Sequence, residues 1–285
     1  MWEIGILAAD LPLEWGSGGP ARNPVLTAED IVDVEAAFVA DPFMILRKGI
    51  WYLFFEVFRE DTRTGEIGLA VSRDLVRWLY QKIVLRESFH LSYPHVFEWE
   101  GSYYMIPETL GAGEVRLYKS INFPFDWKVV GSLVQGLYAD PSIFRWGGTW
   151  WMFACDTPFK HRSLRLFHGR HLEGPWVEHH RGPIVQDNAR IARPAGRVLA
   201  FDGRLIRFAQ DCSTRYGRQV RAFEITRLDQ ENYSEGPASV KPIIGPGTKG
   251  YWRTSRMHHI DVHAGPSGGW IACVDGWTLH GNDVE

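Results

Sequence analysis

The sequence predicts an all-β protein, and within that class a five-bladed β-propeller. The first observation is a repeat in which a strand with an X-Pro pair, a turn with glycine and an aromatic strand ending on a carboxylate follow one another. Four copies place Pro42, Pro94, Pro141 and Pro194 at intervals of 47 to 53 residues, roughly the length of a four-stranded blade. The second observation is that 14% of the residues are aromatic, which favours pleated, half-buried strands.

The individual blades follow from this repeat. Paired first and second strands are predicted within residues 39–56, 92–108, 139–156 and 192–211, with a weaker fifth copy at 257–275. Residues 2–10 resemble residues 66–74, the third strand of blade one, and little sequence remains after Asp275. We therefore expect the N-terminal strand to complete blade five and close the ring, which removes open sheet edges. Residues 1–285 are then a single propeller domain.

Two stretches are predicted to lie outside this pattern. Residues 11–30 contain several Pro and Gly and are expected to be irregular, with one short helical turn near residues 27–30. Residues 229–256 are also rich in Gly and Pro, and we expect a long loop there that reaches over the central face.

Charge and cysteine content exclude several classes of function. The net charge of −3 lacks the basic surface that nucleic acids or anionic membranes require. No apolar run reaches the roughly 18 residues of a membrane span, and the N-terminus has neither the basic flank nor the apolar core of a signal peptide. Cys155, Cys212 and Cys273 are predicted to be buried thiols, because no C-x-x-C spacing occurs. The expected location is cytoplasmic.

These motifs resemble the five-bladed propeller superfamily of glycoside hydrolases typified by family 43. Residues 72–78 match a Ser-x-Asp-Leu-x-x-Trp turn that is frequent there. The chain is more closely similar to the family 43-like domain at the N-terminus of glucosamine inositolphosphorylceramide transferases and its bacterial relatives. The motifs that carry this similarity span nearly the whole chain and include Phe38–Phe43, Phe89–Pro94, Met105–Thr109, Ala192–Arg197, Ala209–Ser213 and Arg215–Gly217.

The resemblance implies an inverting carboxylate site in the central funnel. Asp41 matches the family's general base, and Asp140 matches the family's orienting, pKa-tuning carboxylate. The family's general acid falls at Arg193, which cannot donate a proton at neutral pH. We expect Glu108 to replace it, because apolar neighbours would raise the pKa of its carboxyl. Alternatively, Glu108 forms a salt bridge with Arg193 or caps its strand end.

Further residues are predicted to surround these carboxyls, because the first strands of blades line a propeller's channel. Aromatic faces stack on sugar rings, and Arg and His bind hydroxyls or carboxylates. The substrate-binding candidates are Arg193, His90, Tyr93, His95, Asp211, Arg215, Tyr216, Trp252 and His258. His258 and His259 are predicted on a strand, where they could ligate a single calcium-like axial metal ion or a water. The alternative is a hydrogen-bonded core histidine, and no cofactor is required.

Two functions from different classes remain open. The first is a glycosidase with Asp41, Asp140 and Glu108 as its catalytic carboxyls. The second is a catalytically inactive carbohydrate-binding propeller that presents a glycan or glycolipid head group to a partner glycosyltransferase. The Arg at position 193 favours binding. The retained Asp41 and Asp140 favour the enzyme, since a binding site has less need of buried carboxylates, and the enzyme is the preferred interpretation.

Overall fold

The computed structural model describes residues 1–16, 18–20, 22–247 and 252–278. Their strands form five antiparallel sheets, so the predicted all-β, five-bladed propeller is confirmed. The helical segments among these residues are two single-turn 3-10 helices, Ala28–Asp30 and Leu110–Ala112. None of the described helices is long and apolar enough to span a membrane.

The strands are assigned to blades in chain order, after a first strand, β1, that spans Trp2–Ala9. Blade one contains β2 (Ala36–Arg47), β3 (Ile50–Arg59), β4 (Gly65–Ser72) and β5 (Leu79–Leu85). Blade two contains β6 (Ser92–Trp99), β7 (Ser102–Glu108), β8 (Glu114–Asn122) and β9 (Asp126–Gln135). Blade three contains β10 (Ala139–Trp146), β11 (Thr149–Cys155), β12 (Leu164–Gly169) and β13 (Trp176–Glu178). Blade four contains β14 (Arg193–Pro194), β15 (Leu199–Phe201), β16 (Arg204–Asp211), β17 (Gln219–Leu228) and β18 (Tyr233–Pro237). Blade five contains β19 (Ile260–Ala264) and β20 (Trp270–Trp277).

The N-terminal strand closes the ring as expected. β1 pairs with β20 along its whole length, from Trp2 opposite Trp277 to Ala9 opposite Trp270, and β20 pairs in turn with β19. Gly5 of β1 lies directly under the Trp252 ring, where an added Cβ would come within 2.2 Å of that ring. The pairing with β20 sets the register of β1, and the Trp252 ring leaves no room for a side chain at position 5.

A β-bulge recurs at the X-Pro pair in the first strands of blades one to three. Asp41, Tyr93 and Asp140 adopt φ angles of 51°, 50° and 52°, and the pairing register shifts at each of them. This left-handed conformation costs an L-residue roughly 1–2 kcal/mol. Two of the bulges are held by a carboxylate of the preceding blade: Asp275 accepts the N–H of Asp41 at 3.0 Å, and Glu108 accepts that of Asp140 at 3.2 Å.

Blade four departs from the repeat because its first strand is broken. β14 and β15 both pair with β16, separated by a segment that contains Gly196. Gly196 has a φ of 135°, and an added Cβ would lie 1.8 Å from the carbonyl oxygen of Ile260. The Ile260 N–H donates to the Ala195 carbonyl at 2.8 Å. The backbone of blade five therefore approaches blade four at a point that only glycine permits.

The prediction of one long loop at residues 229–256 is wrong for its first part. β18 is the outermost strand of blade four and pairs with β17. Its Glu235 forms two hydrogen bonds with the fully buried Arg207, at 2.8 and 2.5 Å. A buried guanidinium requires such a partner, and this ion pair explains why a Gly- and Pro-rich segment is ordered as a strand.

Apolar side chains between adjacent blades form the core. Trp127 of blade two packs edge-on against Phe54 of blade one, with ring centroids 5.6 Å apart. A tryptophan that follows the turn between the third and fourth strands thus packs between two blades. The three cysteines are buried and free, which confirms the prediction of buried thiols.

Candidate active site

The candidate site is a cavity of about 170 Å³ to which several blades contribute. Sites for drug-sized ligands occupy roughly 300–1,000 Å³, so this cavity is smaller than such a site. Its wall carries three acidic and three basic or imidazole side chains, namely Asp41, Glu56, Glu108, His90, Arg193 and His258. The structure thus brings two of the three predicted catalytic carboxyls, Asp41 and Glu108, to one wall.

Asp41 comes from the bulge of β2 and is 5% exposed. Its Oδ1 lies 3.7 Å from Nδ1 of His258 and 3.8 Å from Nδ1 of His259. Burial raises the pKa of Asp41 to about 7, although His258 opposes the shift. At neutral pH this carboxyl is therefore close to its titration midpoint and can accept a proton, as a general base must.

Glu108 ends β7 and is 6% exposed. One of its oxygens accepts the Asp140 N–H, and the same oxygen lies 3.6 Å from an Nη of Arg193. Burial and the nearby Asp140 charge raise the pKa of Glu108 to about 8, against the effect of Arg193. The carboxyl is therefore largely protonated at pH 7. Glu108 therefore lies beside Arg193 and binds a backbone N–H at its strand end, as the alternatives foresaw, and it also has the raised pKa that a general acid needs.

Asp140 does not line the cavity wall but is held just behind it by Arg193. The Arg193 Nε and Nη2 donate to the two Asp140 oxygens at 2.6 and 3.2 Å, and the Gln210 amide adds a bond of 2.8 Å. The Arg193 Nη1 donates to the Pro158 carbonyl at 2.9 Å and lies 3.0 Å from a ring nitrogen of His161. Because its donors are used within the protein, Arg193 is a fixed counter-charge for Asp140.

His258 is paired in the same way with Asp275. Its Nδ1 lies 2.7 Å from an Asp275 oxygen, and its ring stacks on Trp2 at 3.9 Å and meets Tyr216 edge-on at 5.2 Å. Burial disfavours the charged ring, but Asp275 outweighs burial and raises the pKa of His258. His258 and Asp275 therefore form a buried ion pair beside Asp41.

The residues that could hold a metal ion are Asp41, His258 and Asp275, whose ligand atoms lie within 4.8 Å of one another. A calcium-like ion takes 6–8 oxygen ligands, and Asp275 is already engaged by His258 and three backbone N–H groups. This donor set fits an ion pair better than a calcium-like ion. The predicted axial metal stays a prediction, and no step below involves it.

Both histidines precede β19 rather than lie on it, which corrects the predicted placement. His259 packs edge-on against Phe43 and Tyr93 at 4.6 and 5.3 Å. Neither ring nitrogen of His259 has a hydrogen-bond partner among the described residues, and burial lowers its pKa to about 4. His259 is therefore a neutral histidine of the channel interior.

The remaining predicted residues divide between the cavity and the protein interior. Four of the predicted substrate-binding residues line the cavity, namely His90, Arg193, Tyr216 and His258. Tyr93 lies deeper, where its hydroxyl accepts the Gly196 N–H at 2.6 Å. His95 is also buried, and its ring stacks on Phe43 at 4.8 Å. Tyr93 and His95 therefore support the channel from within.

Like Tyr93 and His95, three further predicted substrate contacts do not line the cavity. The Asp211 carboxylate accepts bonds from Ser213, Gln219 and Arg221, which overcome burial and lower its pKa to about 2. Arg215 donates to the Ser255 carbonyl at 3.0 Å, and Trp252 covers Gly5 in blade five. These three side chains are bonded or packed elsewhere in blades four and five.

Strand register explains the misplacement of Asp211. Arg193 pairs directly with Gln210 across β14 and β16, because blade four lacks the bulge of blades one to three. Successive side chains of a strand point to opposite faces, so Gln210 reaches Asp140 and Asp211 points away. The sequence analysis did not include Gln210 or Glu56 among the candidate site residues. The repeat itself carried the signal for Glu56, which occupies the same strand-end position as Glu108.

Comparisons with known proteins agree with this fold. The catalytic domain of Coprinopsis cinerea GH62 alpha-L-arabinofuranosidase superposes with a TM-score of 0.66 at 14% identity, covering 93% of this chain and 98% of that one. At this identity the likeness shows the fold alone.

Sequence relatives are closer. The chain is 36% identical to Glucosamine inositolphosphorylceramide transferase 1 of Oryza sativa subsp. japonica, over 99% of this chain and 41% of the relative. It is 33% identical to the protein of the same name from Arabidopsis thaliana, over 99% and 40%. The chain thus spans about two fifths of the length of these curated relatives. The family described as Glucosamine inositolphosphorylceramide transferase 1, N-terminal, matches residues 6–277, and this chain belongs to that family.

Proposed function

We propose that this propeller cleaves a glycosidic bond by an inverting mechanism, with Asp41 as general base and Glu108 as general acid. The observation that carries the proposal is that both carboxyls line one cavity of about 170 Å³, where burial raises the pKa of each towards neutral pH. Inverting hydrolysis needs one ionised and one protonated carboxyl roughly 6.5–9.5 Å apart, with a water between the base and the sugar.

The protonation states match these roles around neutral pH. The pKa of Asp41 is raised to about 7 and that of Glu108 to about 8. Between these values a useful fraction of molecules has Asp41 ionised and Glu108 protonated. Asp41 would take a proton from the attacking water while Glu108 gives one to the leaving oxygen. Asp140 would position Glu108, because its N–H binds the Glu108 carboxyl.

The second candidate is a propeller that binds a glycan or glycolipid head group for a glycosyltransferase. Its support is that Arg193 occupies the position of the family 43 acid and is fully engaged with Asp140. The curated relatives are named as transferases and are more than twice as long as this chain. In that case the cavity would recognise a sugar without cleaving it.

A glycan-panel hydrolysis screen separates the two functions. The wild type would be compared with Asp41→Asn and Glu108→Gln, and with Asp202→Asn and Glu231→Gln as matched controls outside the cavity lining. We expect both site variants to lose about 10²–10⁴-fold in kcat, the usual contribution of a general acid or base, while the controls keep full activity. Glycan binding of equal strength in all five proteins, without turnover, would instead establish a recognition domain.

The pH profile is a second test of the role assignment. With the base near 7 and the acid near 8, kcat/KM is expected to be bell-shaped with its maximum between those values. Asp41→Asn should remove the acidic limb of any residual activity. A profile that rises steadily to pH 10 would contradict the assignment of Glu108 as acid.

A further inference from the structure

A second cavity lies between blades two and three, on the face of the propeller opposite the candidate active site. Its volume is about 520 Å³, within the roughly 300–1,000 Å³ of small-molecule sites. Strand β6 connects the two faces, because Ser92 at its start lines the active-site cavity and Trp99 at its end lines the second cavity. Seven residue steps of about 3.3 Å each separate these two residues by roughly 20 Å. The second cavity is therefore a separate site.

The corresponding groove between blades one and two is closed. It is filled by Phe123, whose ring stacks on Tyr103 at 3.9 Å and meets Tyr52 edge-on at 5.0 Å. Arg47 covers this pair, with its guanidinium 5.3 Å from the Phe123 ring centroid and 5.2 Å from that of Tyr103. Aromatic packing thus leaves no room for a ligand between these two blades.

Two of these positions carry different residues between blades two and three. Leu172 stands at the position of Phe123, four residues before the tryptophan that follows the turn. Trp99 stands at the position of Arg47, as the last residue of the first strand of its blade. Both Leu172 and Trp99 line the second cavity. The shorter leucine side chain therefore leaves open a groove that a phenylalanine closes between blades one and two.

Two nearly buried aromatic side chains on the cavity wall have polar groups without a partner. Trp150 is 5% exposed and Tyr104 is 7% exposed, and both line the second cavity. Within the described residues, the Trp150 indole N–H and the Tyr104 hydroxyl form no hydrogen bond, and neither atom is sealed from solvent. Buried Trp N–H and Tyr O–H groups usually find a partner. Both groups are therefore available to a ligand in the cavity.

The charged side chains of the second cavity balance one another. Two arginines, Arg145 and Arg170, and two glutamates, Glu100 and Glu173, line it. None of the four forms an ion pair with a described residue; the Arg145 guanidinium instead lies over the Trp99 ring, 4.8 Å from its centroid. An anionic ligand would meet the two glutamates, and a cationic ligand would meet the two arginines. Hydroxyl groups both donate and accept hydrogen bonds, so they can pair with either kind of side chain.

We propose that the second cavity binds a neutral oligosaccharide. Aromatic rings supply the apolar contact of such sites, while a few placed polar groups fix the orientation of the ligand. Neighbouring hydroxyls of a sugar can pair with the fork of an arginine or with the two oxygens of a carboxylate. This inference goes beyond the proposed hydrolysis and does not depend on it, because the two cavities lie on opposite faces.

Calorimetric titration with five tetrasaccharides at pH 7 tests the inference. Cellotetraose, xylotetraose and laminaritetraose are neutral, tetragalacturonate is anionic and the glucosamine tetramer is cationic. The protein carries Asp41→Asn throughout, so that the proposed hydrolysis does not consume the ligand. We expect at least one neutral tetrasaccharide to bind. Leu172→Phe, which supplies the ring that Phe123 places between blades one and two, should weaken that binding at least tenfold.

A second variant tests the site without filling it. Trp150→Phe keeps an aromatic ring and removes only the indole N–H, so it should weaken binding by about three- to tenfold, the usual net value of one hydrogen bond. Arg227→Gln changes an exposed arginine of blade four that pairs with Asp229, and as the control it should leave the affinity unchanged. An unchanged unfolding temperature shows that each variant is folded.

Three outcomes would overturn the inference. The first is that no neutral tetrasaccharide binds at millimolar concentrations. The second is neutral binding that survives both Leu172→Phe and Trp150→Phe in folded protein, because the sugar would then occupy another site. The third is a charged tetramer that binds more tightly than every neutral one and is displaced by Leu172→Phe, which would make the second cavity an ion site.

The proposed hydrolysis and this inference fail separately. Binding that is lost in Leu172→Phe, together with a wild type that turns over no glycan, would keep the second site and refute the hydrolase. Glycan turnover by the wild type, with no binding that depends on Leu172 or Trp150, would keep the hydrolase and refute the second site.

Discussion

Replacing Arg193 by methionine tests the buried guanidinium that holds Asp140 behind the cavity wall. Methionine keeps the length of the side chain and removes its charge and donors. The side chains of Arg193 and Asp140 are 10% and 2% exposed and share bonds of 2.6 and 3.2 Å. Breaking a buried pair by removing one partner costs about 3–5 kcal/mol. We expect the lower end, because Gln210 still donates to Asp140 at 2.8 Å.

The assay is a double-mutant cycle in urea, with Arg193→Met, Asp140→Asn and the double variant. At roughly 2 °C per kcal/mol for a chain of this size, a loss of about 3 kcal/mol in the single Arg193→Met variant should also lower the unfolding temperature by about 6 °C. The double variant has no stranded charge, so it should recover about 2 kcal/mol relative to additivity. Arg162→Met, which removes an exposed pair with Asp187, is the control and should cost less than about 1 kcal/mol.

Additive losses in this cycle would refute the reasoning. They would show that Asp140 and Arg193 do not share one buried interaction in solution. A loss below about 1 kcal/mol for Arg193→Met alone would have the same meaning, because no buried carboxylate would then be stranded.

Three further predictions concern stability. Asp261 is fully buried, and Arg197 overcomes the burial penalty and lowers the pKa of its carboxyl. The ionised Asp261 therefore stabilises the folded protein above the pKa of an unfolded Asp, about 3.9, and this stabilisation is lost as the pH falls below that value. Asp261→Asn should flatten the acid limb of the urea midpoints measured from pH 3 to 7. The pKa of Asp41 is instead raised, to about 7, so its contribution declines as the pH rises from about 4 to 7. Asp41→Asn should therefore be more stable than the wild type above pH 7, by at most about 4 kcal/mol at 1.36 kcal/mol per pKa unit. Equal free energies of unfolding at pH 8 would contradict the raised pKa of Asp41. Tyr93→Phe removes the acceptor of the buried Gly196 N–H and should cost about 1–3 kcal/mol in thermal unfolding, whereas an unchanged midpoint would mean that water replaces the hydroxyl.

The sequence was sufficient for the blade count and for ring closure. Both depend on local features that recur, namely the X-Pro pair near residues such as Asp41 and Asp140 and the aromatic strand that follows it. The similarity of residues 2–10 to residues 66–74 was enough to predict that β1 completes blade five, because an unfinished blade leaves an unpaired edge.

The sequence was not sufficient for the orientation of individual side chains in blade four. A shift of one residue in register moves every side chain of a strand to the opposite face of the sheet. The missing bulge at Arg193 therefore changes which residue faces Asp140. Gln210 takes the inward position that the repeat had assigned to Asp211. Trp252 was misplaced for a related reason, since its packing on Gly5 depends on the closure of the ring rather than on local sequence.

The bulges also explain how two similarly placed carboxyls come to have opposite pKa shifts. Asp275 and Glu108 each accept the N–H of a bulged aspartate in the next blade. Asp275 has its own cation, because His258 lies 2.7 Å away, and its pKa is lowered despite burial. Glu108 has to share Arg193 with Asp140, which holds the guanidinium by two bonds, and burial therefore prevails and raises the pKa of Glu108. Environments that push the pKa values of neighbouring carboxyls apart are the usual origin of acid and base roles. An arginine at position 193 is therefore compatible with the acid that we propose: by committing its charge to Asp140, it leaves the pKa of Glu108 raised on the cavity wall.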